Sequence, residues 1–131
     1  MNKHISYKLD QLFVEDVAVS EITSNLRTPF YVYSRTSIKD NFDRFTRSLK
    51  GLDSIICYSV KANSNLSVLE TIAKLRGGAD VVSLGEYHRA LKAGIDQKRI
   101  VFSGVGKQDF EIAEALKLSL IHISEPTRRT T

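Results

Sequence analysis

Short apolar runs alternate with helically spaced apolar residues through most of the chain. Each run is followed by a polar loop and then by apolar residues that recur every three or four positions. The runs occupy residues 54–60, 79–83 and 100–103, and the helical segments occupy residues 66–75, 84–93 and 108–118. Strands that alternate with helices at intervals of about 20 to 25 residues predict a parallel sheet joined by right-handed crossovers.

An earlier cycle of the same kind starts near residue 28. Residues 30–33 are aromatic and β-branched, a composition that favours a strand. Ser34 and Thr36 then offer N-caps for a helix, and Gly51 closes its apolar pattern. Residues 28–118 are therefore predicted to form one α/β domain.

The residues on either side of this domain are less patterned. Residues 1–27 carry only one short alternating apolar piece and are interpreted as a leader to the main domain. Residues 119–131 end in a polar stretch rich in threonine and arginine, with no turn into a further unit. They are interpreted as a truncated or non-native tail.

The alternation is typical both of an open doubly wound sheet and of a closed (β/α)₈ barrel. A barrel typically needs about 250 residues. If the fold is a barrel, residues 28–118 hold only its first few βα units and the chain is a fragment. A small open α/β binding module, complete in 131 residues, is the alternative.

Lys61 is the first candidate for chemistry. It follows a buried strand and begins a polar loop, and parallel α/β folds bind ligands at the carboxyl ends of their strands. Taken alone, a lysine at such a position is more often a solvated loop residue. Its primary amine is nevertheless the group that condenses with an aldehyde.

Four segments carry a family resemblance. Residues 58–65, YSVKANSN, resemble the cofactor-lysine motif of the barrel-type pyridoxal-phosphate (PLP) decarboxylases. Residues 78–86, GADVVSLGE, and residues 99–107, RIVFSGVGK, resemble the next two segments of that family, and residues 28–33, TPFYVY, resemble its entry into the barrel. The resemblance therefore extends over about residues 28 to 118.

The resemblance assigns roles to three residues. It implies that Lys61 is the lysine that binds the aldehyde of PLP, that Asp80 is a catalytic acid near lysine and cofactor, and that Glu86 is a second catalytic acid. Asp80 has a structural alternative, as an acid hydrogen-bonded to nearby backbone. Glu86 has one too, in the first turn of a helix where the macrodipole favours it. Ser83 and Ser103 are interpreted as helix caps.

The resemblance also implies the character of the whole enzyme. It implies a barrel plus a β-rich second domain that residues 1–27 join, and a homodimer with active sites at the subunit interface. The similarity of the segments favours decarboxylation of meso-diaminopimelate to L-lysine. Ornithine, arginine or carboxynorspermidine as substrates, and a non-catalytic PLP-binding protein, stay open. Two positions depart from the family, Leu84 where glycine is usual and Arg76 where a small residue is usual.

The family's later motifs, including its glycine-rich phosphate loop and its substrate-side cysteine, are missing from these 131 residues. Cys57 is not that cysteine, since it belongs to the strand before Lys61. We therefore expect the chain by itself to be inactive and poorly stable, because an unclosed barrel exposes sheet edges and apolar faces.

The composition of the chain excludes several functional classes of protein. With 42% hydrophobic and 26% charged residues, the chain matches a soluble globular fold. The net charge of +4 comes from scattered basic residues, which argues against nucleic-acid binding. No apolar run suggests a secretory signal or a membrane span. The single cysteine is in keeping with a cytoplasmic location, and the three scattered histidines build no metal site.

Overall fold

The structure is a computed structural model that describes residues 4–104, 106–117 and 122–123. The chain divides into two compact units, Met1–Ser48 and Leu49–Thr131. None of the helices in the described ranges is both long enough and apolar enough to cross a bilayer. The two units are described in turn.

The first unit begins with a small antiparallel sheet. Its strands are β1 (Ile5–Lys8), β2 (Gln11–Val14) and β3 (Val17–Ala18), in the order β1-β2-β3, and helix α1 (Val19–Asn25) follows them. Lys8 pairs with Gln11, so Leu9 and Asp10 form a two-residue turn, and both have positive φ. That conformation matches the right-handed twist of a hairpin. The predicted leader is therefore folded.

Helix α2 (Arg35–Ser48) confirms the helix predicted after residue 34. The hydroxyl of Ser34 accepts the N–H of Ser37 at 2.9 Å, as an N-cap does. Glu15 adds a second cap from the β2–β3 turn, because its Oε1 accepts the Ser34 hydroxyl at 2.6 Å and the Thr36 N–H at 2.8 Å. These hydrogen bonds lower the pKa of the Glu15 carboxyl.

The strand predicted at residues 30–33 is wrong, because these residues belong to no strand in the structure. The side chains of Tyr31 and Tyr33 are 90% and 58% exposed. Aromatic and β-branched composition favours a strand only where a neighbouring strand supplies hydrogen bonds and cover. No described strand pairs with these residues.

The second unit contains the predicted alternation of strands and helices. Its parallel strands are β4 (Cys57–Ser59), β5 (Gly78–Val81), β6 (Ile100–Phe102) and β7 (His122–Ile123), in the order β4-β5-β6-β7. The helices between them are α3 (Leu66–Lys74), α4 (Leu84–Lys92) and α5 (Asp109–Lys117). The βα units predicted from residue 54 onward are confirmed, although β4 is shorter than its apolar run.

Strand β7 lies in the segment that was interpreted as a tail. Its two residues pair in parallel with Val101 and Phe102 of β6 and add a fourth strand to the sheet. The remainder of residues 119–131 lies outside the described residues.

The core of the second unit follows the two-residue period of its strands. Ala79 and Val81 of β5 are fully buried, whereas Asp80 between them is only partly buried on the opposite face. Ile100 and Phe102 of β6 are buried in the same way. The residues before and after Asp80 are therefore both anchored in the core, and they hold Asp80 in place.

Gly78 allows the start of β5 to lie close to β4 on one side and to the residue before β6 on the other. A Cβ at this position would lie 2.2 Å from the carbonyl oxygen of Arg99 and 2.9 Å from Sγ of Cys57. Both distances are shorter than van der Waals contact, so only glycine fits at the start of β5.

Candidate active site

Lys61 lies just beyond the carboxyl end of β4, as predicted. The strand ends at Ser59, and a single 3-10 turn, Val60–Ala62, carries the lysine. Val60 is fully buried and anchors this turn, whereas the lysine side chain is exposed. Among the described residues, the Lys61 ammonium has no hydrogen-bond or ion-pair partner. A rigid strand thus presents a primary amine that is not engaged elsewhere.

The loop that follows the lysine is held by its own side chains. The Asn63 side chain accepts the Asn65 N–H at 3.0 Å, and the Asn65 side chain accepts the Ser67 N–H at 2.9 Å as the N-cap of α3. From α4, Arg89 Nε donates to the carbonyl of Ser64 at 2.9 Å. These bonds fix the path by which the chain leaves the lysine.

Asp80 lies at the same edge of the sheet. It is the register partner of Ser59, two residues before the lysine. The Ser59 hydroxyl lies 3.4 Å from Oδ2 of Asp80, and the Ser103 hydroxyl makes a short hydrogen bond to Oδ1. The described contacts of this carboxylate are with side-chain hydroxyls and not with backbone groups, unlike the structural alternative considered above.

Of the two serines predicted to cap helices, only Ser83 does so. Ser83 accepts the N–H of Glu86 at 3.2 Å and is the N-cap of α4, as predicted. Ser103 caps no helix, because α5 starts only at Asp109. The contact of Ser59 and Ser103 with Asp80 was not predicted from the sequence. The signal that could have found it is the position of a serine at the end of each strand next to the acid.

Glu86 is engaged at the start of α4. Its Oε2 accepts the N–H of Val82 at 2.9 Å, while its own N–H donates to Ser83. This arrangement is similar to a capping box, except that the acid binds the N–H of Val82, one residue before the N-cap Ser83, and not the N–H of the N-cap itself. The structure thus gives Glu86 a helix-capping contact, and Oε1 of the same carboxylate has no partner among the described residues.

The thiol of Cys57 is not activated as a nucleophile. Burial raises the pKa of its thiol, and the negative charge of Asp80 raises it further. A thiol whose pKa is raised stays protonated at neutral pH, and the thiolate is the nucleophilic form. No group of three or more potential metal ligands occurs among the described residues.

Residues 35–124 match the family model described as pyridoxal-dependent decarboxylase, pyridoxal binding domain. The match covers more than half of the chain. The chain belongs to this family of pyridoxal-dependent decarboxylases. It contains part of the domain that binds the cofactor, and PLP is the cofactor of the family.

Comparison with individual relatives points to one enzyme within the family. The chain is 53% identical over 104 residues to a diaminopimelate decarboxylase of Helicobacter pylori, a match that covers 79% of the chain and 26% of that protein. It is 44% identical over 118 residues to the same enzyme of Vibrio cholerae, covering 89% and 28%. The chain therefore spans little more than a quarter of the length of these curated relatives.

A solved structure of the Helicobacter pylori diaminopimelate decarboxylase in complex with L-lysine matches the fold. The TM-score is 0.78 at 51% sequence identity, and the match covers 82% of this chain and 27% of that one. The fold of the described residues is thus that of a pyridoxal-dependent decarboxylase.

The residues at this edge of the sheet fit PLP. The cofactor needs a primary amine for its aldehyde, and Lys61 presents one at the carboxyl edge of the sheet. Asp80 lies at the same edge of the sheet, with hydroxyl partners but no ion-pair partner among the described residues. The edge that holds both residues is the one at which parallel α/β folds bind ligands.

Proposed function

We propose that Lys61 binds PLP in a full-length protein that contains this chain, and that this protein decarboxylates meso-diaminopimelate to L-lysine. The observation that carries the proposal is the unengaged amine of Lys61 at the carboxyl end of β4, two residues beyond Ser59, which pairs with Asp80 of the neighbouring strand. The identity to diaminopimelate decarboxylases and the likeness to a structure bound to L-lysine support the substrate.

The residues of the chain divide the work. PLP, when bound, supplies an electron sink for the negative charge left as carbon dioxide departs. Lys61 holds the cofactor through an amine that the amine of the substrate can replace. The carboxylate of Asp80 stabilises positive charge on a nearby nitrogen and can accept a proton there. Glu86 fixes the β5–α4 turn through Oε2 and has Oε1 available to act as a second acid.

The architecture proposed for the full-length protein is a (β/α)₈ barrel, of which residues 28–118 form the first units. Support comes from the order β4-β5-β6-β7, in which each parallel strand neighbours the next one along the chain. A β-rich second domain, joined by residues 1–27, completes the proposed protein. We also propose that it is a cytoplasmic homodimer, because the family resemblance implies the dimer and the single cysteine fits a reducing compartment.

The chain alone is proposed to be an incomplete and inactive piece of that enzyme. It spans only 26% of the Helicobacter pylori relative. An open sheet leaves strand edges and apolar faces without cover. Cooperative unfolding of the 131-residue chain together with turnover would refute this part of the proposal.

The test is borohydride trapping of PLP followed by peptide mapping on the full-length protein, with a Lys61→Ala variant as the control. We expect label at Lys61, none in the variant, and carbon dioxide release from meso-diaminopimelate. Release from ornithine, arginine or carboxynorspermidine instead would assign a sister decarboxylase. Label at Lys61 without turnover of any of these would indicate a non-catalytic PLP-binding protein, and absence of label would refute the role of Lys61.

A further inference from the structure

Asp80 lies between two hydroxyl donors that come from the strands on either side of it. Ser59 of β4 lies 3.4 Å from Oδ2, and Ser103 beyond β6 donates a short hydrogen bond to Oδ1. Each carboxylate oxygen therefore receives one hydroxyl, and each hydroxyl comes from a different neighbouring strand. Such an arrangement fixes the rotation of the carboxylate group about its Cβ–Cγ bond.

The hydroxyls of Ser59 and Ser103 are the described hydrogen-bond partners of the half-buried Asp80 carboxylate. Among the described residues, no cation forms an ion pair with Asp80. Removing a carboxylate from water is costly unless hydrogen bonds replace the lost solvation. Each carboxylate oxygen can accept two hydrogen bonds. The serines thus satisfy the acid in part and leave one acceptor site on each oxygen for another ligand.

Ser103 is itself held in a rigid frame. Its N–H donates to the carbonyl of Val81 at 2.8 Å, which extends the pairing of β5 and β6 past the last residue of β6. Gly104 then turns the chain with a φ of +97°, and a Cβ there would lie 3.3 Å from Cβ of Val82. This frame holds the Ser103 hydroxyl within hydrogen-bond reach of Oδ1, whereas the Ser59 hydroxyl lies 3.4 Å from Oδ2.

We propose that Ser103 is a positioning residue: it holds the carboxylate of Asp80 in the orientation in which that acid serves PLP bound to Lys61. The inference rests on the proposed function and adds to it a residue that acts through the carboxylate of Asp80. Ser59 supports the same carboxylate from the other side. A hydroxyl at position 103, rather than a serine as such, is what the role requires.

The experiment compares Ser103→Ala with Ser103→Thr in the full-length holoenzyme. The matched control is Thr71→Val, which removes a buried hydroxyl that donates to Ser67 O at 2.8 Å within α3, away from Asp80. We expect every variant to trap PLP at Lys61. In Ser103→Ala, kcat should fall about tenfold or more while KM stays within about threefold, as for loss of a hydrogen bond to a charged group.

A second readout does not depend on turnover. The visible absorbance of bound PLP should change with pH at a different midpoint in Ser103→Ala than in the wild type, because the nearby carboxylate is no longer held in place. Ser103→Thr should return kcat and this midpoint to near wild-type values. Thr71→Val should leave both unchanged.

Each contrary outcome has a distinct meaning. Wild-type kcat and absorbance in Ser103→Ala, or equal defects in Ser103→Thr and Ser103→Ala, would overturn the positioning role and leave the proposed function intact. The same defects in Thr71→Val would assign the effect to stability and also overturn the role. A wild-type protein that traps no PLP at Lys61 would overturn the proposed function and the positioning role together.

Discussion

Replacing Gly78 with alanine should disrupt the centre of the parallel sheet. The new Cβ would lie 2.2 Å from the carbonyl oxygen of Arg99 and 2.9 Å from Sγ of Cys57. Carbon and oxygen atoms normally approach to about 3.3 Å at closest, so the first contact requires a backbone shift of about 1 Å. Overpacking that forces side-chain and backbone shifts typically costs about 1 to 3 kcal/mol. The contact here is with backbone, so we expect a loss at the upper end of that range, about 3 kcal/mol.

The assay is thermal or chemical denaturation of the full-length protein, together with its soluble yield. Cys57→Ala in the Gly78→Ala background removes the sulfur contact but not the carbonyl contact, so it should restore little of the lost stability. Gly85→Ala is the matched control, because the nearest atom to its Cβ is 3.8 Å away and the residue is helical. It should stabilise the protein by up to about 1 kcal/mol. Unchanged midpoint and yield in Gly78→Ala would refute the packing argument.

Three further predictions concern other contacts. Tyr87→Phe should raise the stability of the full-length protein by about 1 kcal/mol in denaturant titration, because the buried Tyr87 hydroxyl has no hydrogen-bond partner among the described residues; a loss would contradict this. Asn65→Ala should lower stability by about 1 kcal/mol, since its side chain caps α3; an unchanged midpoint would show that the cap is dispensable. Hydrogen bonds lower the pKa of Glu15, so its stabilisation is present above the unfolded-state pKa and is lost as pH falls through the folded-state pKa. Stability of Glu15→Gln should therefore fall less on acidification than that of wild type, and parallel pH profiles would contradict this.

Sequence patterning predicted the second unit well because each of its elements is locally encoded. The strands at β5 and β6 coincide with short apolar runs, and α3 and α4 show apolar residues at helical spacing between clear stop signals. Lys61 was found for a related reason, since its place after an apolar run is visible along the chain. The chemical role proposed for it came from a family motif and not from periodicity.

The errors arose where structure depends on residues distant in sequence. Residues 30–33 have strand composition but no described pairing partner. The hairpin in residues 1–27 was not predicted, because its turn is formed by Leu9 and Asp10. The pairs that usually mark such a turn are Asn-Gly and Asp-Gly. The contact between Asp80 and Ser103 depends on the register of neighbouring strands, and residue types alone do not determine register.

The cap that Glu15 places on α2 can form only late in the folding of the first unit. The carboxylate and the Thr36 N–H that it binds are 21 residues apart in sequence, so this contact forms only after the chain between them has closed a loop. Before closure, the first turn of α2 has the Ser34 cap alone. Amide hydrogen exchange at Thr36 therefore reports the formation of the β2–β3 turn, although that turn lies far upstream of the helix.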